Sequence, residues 1–301
     1  MEERISCLIS NIISQENIRI NEPLNKHTTF KIGGDAAFFV SPASAEEMAK
    51  LVKLLNEESI DYYVLGNGSN VLAPDEGYPG VIIYVGEKLS EVKLLEADVI
   101  YAKAGAMLAR VAKYATDNSL TGMEFAAGIP GSIGGAIYMN AGAYGGEMKD
   151  IVVEATVCDK LGNIFKLSKD ELDLSYRHSI VEKNGYVVLD VTLKLQKGDI
   201  NAIKSKVDEL ATKRREKQPL EYPSAGSTFK RPEGYFAGKL IEEAGLRGYA
   251  IGDACVSEKH CGFVVNKGNA TAAQVKELMD YVSEQVYNNS GVKIEPEVKI
   301  L

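Results

Sequence analysis

The residues with the clearest capacity for chemistry form an uncharged, glycine-rich run, Phe125–Gly146. Seven of the nineteen residues from Gly128 to Gly146 are glycine, and apolar side chains such as Ile129 and Ile133 separate them. Flexible linkers are usually polar, so this run is typical of backbone that approaches another backbone or a flat ligand closely. Amides in such turns also bind anions. A tightly packed turn system without a ligand is the alternative for this run taken alone.

A second turn of the same kind follows a short apolar segment. Tyr62–Leu65 is predicted to be a buried strand, and it runs directly into the turn Gly66–Asn70. A strand that ends in small residues can direct its amides towards a phosphate. The turn does not fit the dinucleotide fingerprint, because its third glycine is missing and Pro74–Gly77 blocks a long helix. No Gly-Lys-Ser/Thr follows, so it is not a P-loop either.

Several motifs in combination make the chain resemble the UDP-N-acetylenolpyruvoylglucosamine reductase family. The first three are Thr28-Thr-Phe-Lys-Ile-Gly-Gly34, Leu65-Gly-Asn-Gly-Ser-Asn-Val-Leu72, and Gly128-Ile-Pro-Gly-Ser-Ile-Gly-Gly135 with Asn140-Ala-Gly142. The resemblance continues in order through Ser175–Ser179, Ala225–Lys230 and Ile294–Val298. Each motif alone is weak, but the ordered set covers nearly the whole chain and is very specific.

The pattern of predicted elements describes an α+β chain. We predict an amphipathic helix over residues 1–17 within an N-terminal lead-in (1–27), one α+β unit over 28–197, and a last unit over 198–301. The boundary is expected at Lys197–Asp199, directly before a predicted helix over 200–217. The resemblance implies that 28–197 is a two-part FAD-binding domain of the vanillyl-alcohol-oxidase (PCMH) type. It implies that 198–301 is a smaller α+β substrate-binding domain.

Composition and charge exclude several classes of protein. A net charge of −8 argues against a nucleic-acid partner, and no apolar run approaches the roughly 20 residues that span a bilayer. The N-terminus lacks a signal-peptide pattern. The four cysteines have no C-x-x-C spacing, and the three histidines have no metal-binding spacing. We therefore expect a cytoplasmic protein without membrane insertion, a nucleic-acid partner or a metal. A monomer is expected as well, although none of these features bears on it.

The resemblance implies a flavoenzyme reaction. In the family, NADPH supplies a hydride through FAD, and the enolpyruvyl ether of UDP-N-acetylglucosamine enolpyruvate is reduced to UDP-N-acetylmuramate, a peptidoglycan precursor. The expected cofactors are therefore FAD and NADPH, and the expected partner is the enolpyruvyl UDP-sugar. Because the cofactor carries the hydride chemistry, the protein must supply one proton donor and a group that stabilises charge on the substrate carboxylate.

Two residues match catalytic positions of the family on separate motifs. Ser227 matches the proton donor, although a serine that follows glycine in a loop between two prolines, Pro223 and Pro232, is usually a turn residue. Arg177 matches an active-site arginine, and a planar, permanently charged guanidinium suits a carboxylate that gains charge. Without the motif, Arg177 would be interpreted as a surface residue near a sheet edge.

Glu297 matches a third catalytic position, with Glu295 as the alternative. A strand is predicted over 292–301, and its alternation places apolar side chains on one face and charged ones on the other: Val292, Ile294, Val298 and Ile300 against Lys293, Glu295, Glu297 and Lys299. Taken alone, this pattern describes a charged solvent face, and Pro296 fits an edge strand. We hypothesise that Glu297 is protonated and donates a hydrogen bond, or that it orients the acid and Arg177.

The resemblance also assigns binding residues. For FAD they are Lys31, Ile32, Gly33, Gly66, Asn67, Gly68, Ser69, Asn70, Gly128, Ile129, Pro130, Gly131, Ser132, Gly134 and Gly135. For the UDP-sugar they are Tyr176, Lys230, Arg231 and His260, whereas Tyr222, Lys239 and Asn266 could equally be structural. Arg231 stands where some relatives carry asparagine, which affects how the sugar phosphates are held. The short tail implies the compact type without the tyrosine-bearing insertion. The resemblance does not tell how such a protein closes over the nucleotide.

Two other functions compete with this interpretation. An oxidase or dehydrogenase of alcohols could use the same type of flavin domain, but many such proteins attach the flavin to a histidine in the first glycine turn. Gly66–Asn70 contains no histidine. A non-catalytic protein that binds UDP-sugar or stores flavin would not need Arg177, Ser227 and Glu297 together.

Overall fold

The structure is a computed structural model that describes residues 2–301. Its α-helices are α1 (Glu2–Ser10), α2 (Ala45–Glu57), α3 (Leu108–Asp117), α4 (Ile133–Tyr138), α5 (Met148–Ile151), α6 (Ile180–Asn184), α7 (Ile200–Lys217), α8 (Ala237–Glu243) and α9 (Ala272–Ser290). Short 3₁₀ turns lie at Gln15–Asn17, Leu24–Lys26, Glu87–Leu89 and Glu124–Ala126.

The strands are short, and most belong to antiparallel sheets. In chain order they are β1 (Ile18–Pro23), β2 (Asp35–Val40), β3 (Tyr62–Leu65), β4 (Val71–Leu72), β5 (Tyr78–Tyr84), β6 (Val92–Glu96), β7 (Val99–Lys103), β8 (Leu120–Thr121), β9 (Gly142–Ala143), β10 (Gly146–Glu147), β11 (Val152–Cys158), β12 (Ile164–Ser168), β13 (Val187–Lys194), β14 (Gln196–Lys197), β15 (Ala250–Ile251), β16 (Ala254–Val256), β17 (Val264–Asn266) and β18 (Lys299–Ile300). The mixture of helices and sheets confirms the predicted α+β class.

Three larger sheets organise the chain. The first has four strands in the order β1-β2-β5-β3, with β3 parallel to β5. The second has five antiparallel strands in the order β12-β11-β13-β7-β6, and the third has the order β15-β16-β17. The turn Asp159–Gly162 lies in the hairpin that connects β11 to β12.

Local sequence explains where two of the longer helices begin. The hydroxyl of Ser44 accepts the amide of Glu47 at 3.1 Å, so Ser44 caps α2. Thr271 and Gln274 form a reciprocal capping box at the start of α9. Helix α7 covers the predicted range 200–217.

Contacts divide the chain into two compact units. The first contains the residues up to Ile20, Phe38–Asn67 and Gly80–Lys213. Less and more exposed side chains alternate along strands β7 and β12 of its five-stranded sheet, whereas the central strand β13 is buried along nearly its whole length. Helix α4 packs against β13 and β7. The buried residues of this sheet include Ile100, Ala102, Ala155, Val157, Val191 and Leu193.

The second unit contains Asn21–Ala37, Gly68–Pro79 and Arg214–Leu301. Helices α8 and α9 pack against each other, and α9 also packs against β15 and β16. The core of this unit includes Phe30, Leu72, Leu240, Ile241, Val264, Val275, Leu278, Val282 and Val298. The division by contacts interleaves segments of the chain, and the predicted domain limits near 27 and 198 stay a prediction.

Two predicted elements were wrong in extent. The N-terminal helix ends at Ser10 rather than near residue 17, since Ser10 bonds its hydroxyl to the carbonyl of Ser6 and the next residues form turns. The predicted strand over 292–301 is reduced to β18. Its earlier part pairs with a loop instead, through an isolated bridge between Phe229 and Pro296.

In the described part of the chain, every helix is too short or too polar to cross a bilayer.

Candidate active site

The two glycine-rich turns contact each other in the first unit. A Cβ on Gly66 would lie 2.5 Å from the hydroxyl of Ser132, so only glycine fits at this position without a shift. The side-chain amide of Asn67 donates to the carbonyl of Pro130 at 2.7 Å. The sequence predicted a close approach of the backbone in these turns. At Gly66, the backbone of one turn lies close to the side chain of Ser132 in the other.

The glycine-rich run is more ordered than a series of turns. Ser132 is buried and caps α4 by accepting the amide of Gly135 at 3.4 Å. The segment before the helix is fixed on its other side, because the amide of Leu108 donates to the carbonyl of Gly131 at 2.9 Å. After α4 the run forms the hairpin β9–β10, whose tip is Tyr144 and Gly145, both left-handed. Periodicity missed α4 because it has only six residues.

In the second unit, the later part of the first turn lies against the motif that begins at Thr28. The amide of Thr29 donates to the carbonyl of Gly68 at 3.1 Å, and a Cβ on Gly68 would collide with the carbonyl of His27. The hydroxyl of Thr28 donates to the carbonyl of Ile32 at 3.2 Å. Ile32 itself is buried and Lys31 is exposed.

Each of these clusters, taken by itself, contains groups that suit a cofactor with phosphates and a flat ring. Both are built from backbone, small side chains and aliphatic groups, and a Cβ at Gly66 or Gly68 would meet other protein atoms. Such groups bind phosphate through amides and contact an apolar ring without adding charge. The family resemblance assigned FAD to Lys31–Gly33, Gly66–Asn70 and Gly128–Gly135, and this assignment stays a prediction.

Arg177 lies in a strained two-residue turn of the first unit. The amides of Ser175 and His178 donate to each other's carbonyls at 3.2 and 3.1 Å, so Tyr176 and Arg177 form the tip. Arg177 has φ of 53°, a left-handed conformation that costs a non-glycine residue about 1–2 kcal/mol. Its guanidinium lies 5.3 Å from the ring centroid of Tyr176, which is 53% exposed.

Two buried side chains hold the ends of this turn. The side-chain amide of Asn140 donates to the carbonyl of Ser175 at 3.1 Å. Beyond the tip, the hydroxyl of Ser179 donates to the carbonyl of Tyr138 at 2.5 Å and also caps α6. Sequence reasoning noted Asn140 only as part of a motif. Its signal would have been an asparagine after a helix, where left-handed backbone is common.

Ser227 lies in a loop of the second unit that is fixed through its neighbour, Thr228. Thr228 is buried, and its amide donates to the carbonyl of Gly262 at 2.8 Å. Its hydroxyl accepts the amide of Val264, also at 2.8 Å. Gly226, with φ of 77°, turns the chain on the other side. The result is an exposed serine between a left-handed glycine and a buried threonine.

Glu297 belongs to the same cluster as Ser227 and is buried. Its amide donates to the carbonyl of Thr228 at 2.8 Å, and its carbonyl accepts the side-chain amide of Asn70 at 3.2 Å. Glu297 is only 7% exposed, so the solvent-face interpretation of this segment was wrong. The alternation fails because Pro296 interrupts it, and Glu297 and Val298 are both buried. The side chain of Glu295, by contrast, is 73% exposed and pairs with Lys230.

The predicted substrate residues of the second unit make internal contacts. The ammonium of Lys230 lies 3.2 Å from the carboxylate of Glu295. The guanidinium of Arg231 lies 3.9 Å from the ring centroid of Phe236, and its Nε donates to the carbonyl of Tyr235 at 3.3 Å. These contacts hold both cations at the loop that follows Ser227.

His260 is partly buried beside the loop of Ser227. Its Nδ1 accepts the amide of Gly262 at 3.1 Å, so the neutral ring carries its proton on Nε2 and can donate from there. Burial lowers the pKa of His260, and the nearby positive charges of Arg247 and Lys217 lower it further. The ring is therefore neutral at pH 7.

The three residues left open between binding and structure all make structural contacts. Asn266 is buried and donates to the carbonyl of Phe30 at 3.2 Å, while its oxygen accepts the amides of two later residues. Tyr222 lies under the ammonium of Lys267, and Lys239 pairs with Glu243 along α8. Within residues 2–301, no group of three or more metal-ligating side chains is placed to hold a metal ion.

Comparison with known proteins identifies the family. The family model "UDP-N-acetylenolpyruvoylglucosamine reductase, C-terminal domain" matches residues 218–301, and the model "FAD binding domain" matches residues 36–168. A UDP-N-acetylenolpyruvoylglucosamine reductase from Agathobacter rectalis is 54% identical over 93% of this chain and 93% of its own length. One from Clostridioides difficile is 50% identical over 97% of this chain and 95% of its own. This chain belongs to the UDP-N-acetylenolpyruvoylglucosamine reductase family.

Solved structures agree with membership of the reductase family. The UDP-N-acetylenolpyruvylglucosamine reductase from Thermus caldophilus superposes with a TM-score of 0.80 at 34% identity, covering 94% of this chain and 97% of that one. An alkyldihydroxyacetonephosphate synthase reaches a TM-score of 0.50 at 14% identity over 65% of this chain, which shows a shared fold only. The reductase family and the FAD-binding domain together make this chain an FAD-dependent oxidoreductase of peptidoglycan precursor synthesis.

Proposed function

We propose that this chain reduces the enolpyruvyl ether of UDP-N-acetylglucosamine enolpyruvate to UDP-N-acetylmuramate, with NADPH as the hydride donor. The observation that carries the proposal is the cluster of Ser227, Thr228 and Glu297 in the second unit. An exposed hydroxyl lies in sequence beside a threonine whose carbonyl binds the amide of a buried glutamate. A loop that only turned the chain would not need a buried carboxyl group there, because burying one is costly.

FAD, when bound, supplies the hydride chemistry. The residues of the chain supply the rest. The hydroxyl of Ser227 would donate a proton to the substrate carbon next to the carboxylate. The guanidinium of Arg177 would stabilise the negative charge that develops on that carboxylate.

Glu297, rather than Glu295, is the glutamate that we assign to the reaction. Glu297 is buried and its backbone is held on both sides by Thr228 and Asn70, whereas Glu295 is exposed and paired with Lys230. A buried carboxyl group favours its neutral form, which can donate a hydrogen bond to Ser227 or to the substrate. Full activity of Glu297→Gln with an unchanged pH–rate profile would contradict this role.

We also propose specific assignments for substrate contacts, location and assembly. Tyr176, Lys230, Arg231 and His260 contact the UDP-sugar, and His260 acts as a neutral donor through Nε2. The protein works as a cytoplasmic monomer, for which size-exclusion chromatography with light scattering is the measurement. A dimer at micromolar concentration would contradict the monomer.

The visible absorption spectrum tests the function. The purified protein should carry non-covalent FAD that bleaches with NADPH and recovers without oxygen when the enolpyruvyl UDP-sugar is added. Recovery with oxygen alone would keep the flavoprotein and discard the substrate. Failure to bind FAD at all would contradict the interpretation of the glycine-rich turns.

A further inference from the structure

We propose that Asn140 is a positioning residue for Arg177, and that it controls the reaction of the substrate without contacting it. The inference rests on the proposed function, because Arg177 acts there on the substrate carboxylate. Asn140 lies in the glycine-rich run Phe125–Gly146, whereas Arg177 lies in the separate motif Ser175–Ser179.

The side chain of Asn140 is almost completely buried and makes three hydrogen bonds. Its Nδ2 donates to the carboxylate of Glu147 at 2.8 Å and to the carbonyl of Ser175 at 3.1 Å. Its Oδ1 accepts the amide of Lys149 at 2.9 Å. Two of these bonds attach Asn140 to the hairpin and helix that follow it. The third bond reaches the turn that contains Arg177, at Ser175, which is 35 residues away from Asn140 in sequence.

The turn needs to be held because its tip is strained. Arg177 is left-handed, with φ of 53°, and strained backbone of this kind persists only where its surroundings impose it. Asn140 binds the first residue of the turn, Ser175. The hydroxyl of Ser179 binds the carbonyl of Tyr138 just beyond the turn. Both anchors lead to the end of α4, so the turn is attached at both ends to the same short segment.

Asparagine suits position 140 for two reasons. Its φ is 44°, a conformation that asparagine tolerates better than most side chains. Its amide supplies two donors and one acceptor on one planar group, and the contacts use both kinds. An aspartate would keep the shape and the backbone conformation, but it would direct an oxygen at the carbonyl of Ser175 and at the carboxylate of Glu147.

The substitution Asn140→Asp tests the proposal, with Asn21→Asp as the matched control. Asn21 is also left-handed, with φ of 53°, but it is exposed. In Asn140→Asp, we expect the recovery of flavin absorbance on adding the enolpyruvyl UDP-sugar to slow on the order of 10- to 100-fold, because small displacements of a charged group are costly in the transition state. Bleaching by NADPH, FAD content and KM should change little. Asn21→Asp should change none of these quantities.

A second substitution separates positioning from a general structural role. In an Arg177→Ala background, Asn140→Asp should cause less than about a threefold further loss, since residues that act through one another are not additive. Amide hydrogen exchange of 174–179 should accelerate in Asn140→Asp. An equal loss in both backgrounds, normal exchange of the turn, or an unaffected recovery rate would each overturn the proposal.

Three further outcomes are distinguishable. If Asn140→Asp fails to retain FAD, Asn140→Gly removes the same donor with a residue that accepts left-handed backbone, and the same expectations apply. If the wild-type protein bleaches with NADPH but does not recover with the UDP-sugar, the proposed function has failed and the role of Asn140 in it falls too. If the wild type recovers and both variants recover equally fast, only the positioning role is wrong.

Discussion

The turn of Arg177 and the loop of Ser227 present polar side chains in opposite ways. In the turn, the functional residue is itself left-handed, and side chains of Asn140 and Ser179 hold its neighbours. In the loop, glycine takes the left-handed position at Gly226, and the backbone and hydroxyl of Thr228 make the fixing bonds. In the turn, the left-handed conformation falls on Arg177, the residue that we place in the reaction. In the loop it falls on Gly226, where it carries no steric cost because glycine has no Cβ.

Because of this difference, substitutions in the turn and in the loop should divide their effects between activity and stability in different ways. Removing the arginine should relieve strain, because the cost lies in that residue. Removing Ser227 should be neutral for folding, because its hydroxyl is exposed and the fixing bonds belong to Thr228. Damage to Thr228, in contrast, should affect folding first. Each of these consequences can be measured separately.

The largest expected effect is the loss of the proton donor in Ser227→Ala. General acid catalysis contributes on the order of 100- to 10,000-fold, so the recovery of flavin absorbance with the UDP-sugar should slow by such a factor. Bleaching by NADPH and the melting temperature should stay unchanged. Ser224→Ala, in the same loop, is the matched control and should retain activity. A loss confined to FAD binding would contradict the assignment.

Arg177→Gly should uncouple stability from activity. Glycine adopts positive φ without the steric cost that arginine bears, so the melting temperature should be maintained or rise, even though glycine adds entropy to the unfolded chain. The same variant should slow substrate-dependent recovery on the order of 100- to 1,000-fold, as removal of one charge-stabilising group does elsewhere. A melting temperature several degrees lower would show that the arginine is mainly a structural residue.

Much of the fold could be predicted from sequence because its signals are local. Strand β3, helix α7 and the cap at Ser44 follow from apolar spacing and from hydrogen-bonding side chains close in the chain. The short helix α4 could not be predicted in this way. Its six residues are glycine-rich, and they are held by packing against β13 rather than by propensity.

The site shows where such local reasoning ends. Alternation placed Glu297 on a solvent face, yet it is buried because its backbone pairs with Thr228, far away in sequence. Only the family resemblance selected it. The contact of Asn140 with the turn of Arg177 could not be predicted for the same reason, since its partner Ser175 is 35 residues away. Sequence periodicity describes neighbours along the chain, whereas both residues depend on contacts between distant segments.

Thr228→Val should lower stability before it lowers activity. Valine keeps the shape of the side chain but removes the hydroxyl that accepts the buried amide of Val264. An unsatisfied buried donor costs about 1–3 kcal/mol, so the melting temperature should fall by several degrees. Thr29→Val, which removes a hydroxyl that donates to the carbonyl of Ser224, provides a comparison where the lost group is a donor. Unchanged melting of Thr228→Val would mean that the loop is fixed elsewhere.

The smallest expected effect concerns the titratable group behind the loop of Ser227. Burial lowers the pKa of His260, and Arg247 and Lys217 add to the shift, so the folded protein binds its proton more weakly than the unfolded chain. As pH falls below about 6.5, the unfolded state takes up the proton first, and stability is lost until the pH reaches the lower folded pKa. The slope for one proton is at most about 1.4 kcal/mol per pH unit.

The variant His260→Asn isolates this contribution, because asparagine can still accept the amide of Gly262 but does not titrate. The melting temperatures of the FAD-bound wild type and variant should be compared at pH 7.5 and 5.5. Because only the wild type has the titrating imidazole, its melting temperature should fall further than that of the variant by a degree or two, on the scale set by a fraction of one proton. Equal losses would mean that His260 titrates alike in both states. They would also show that the loop of Ser227 has no pH-sensitive support at His260. In that respect it would then resemble the turn of Arg177, whose two anchors, Asn140 and Ser179, do not titrate.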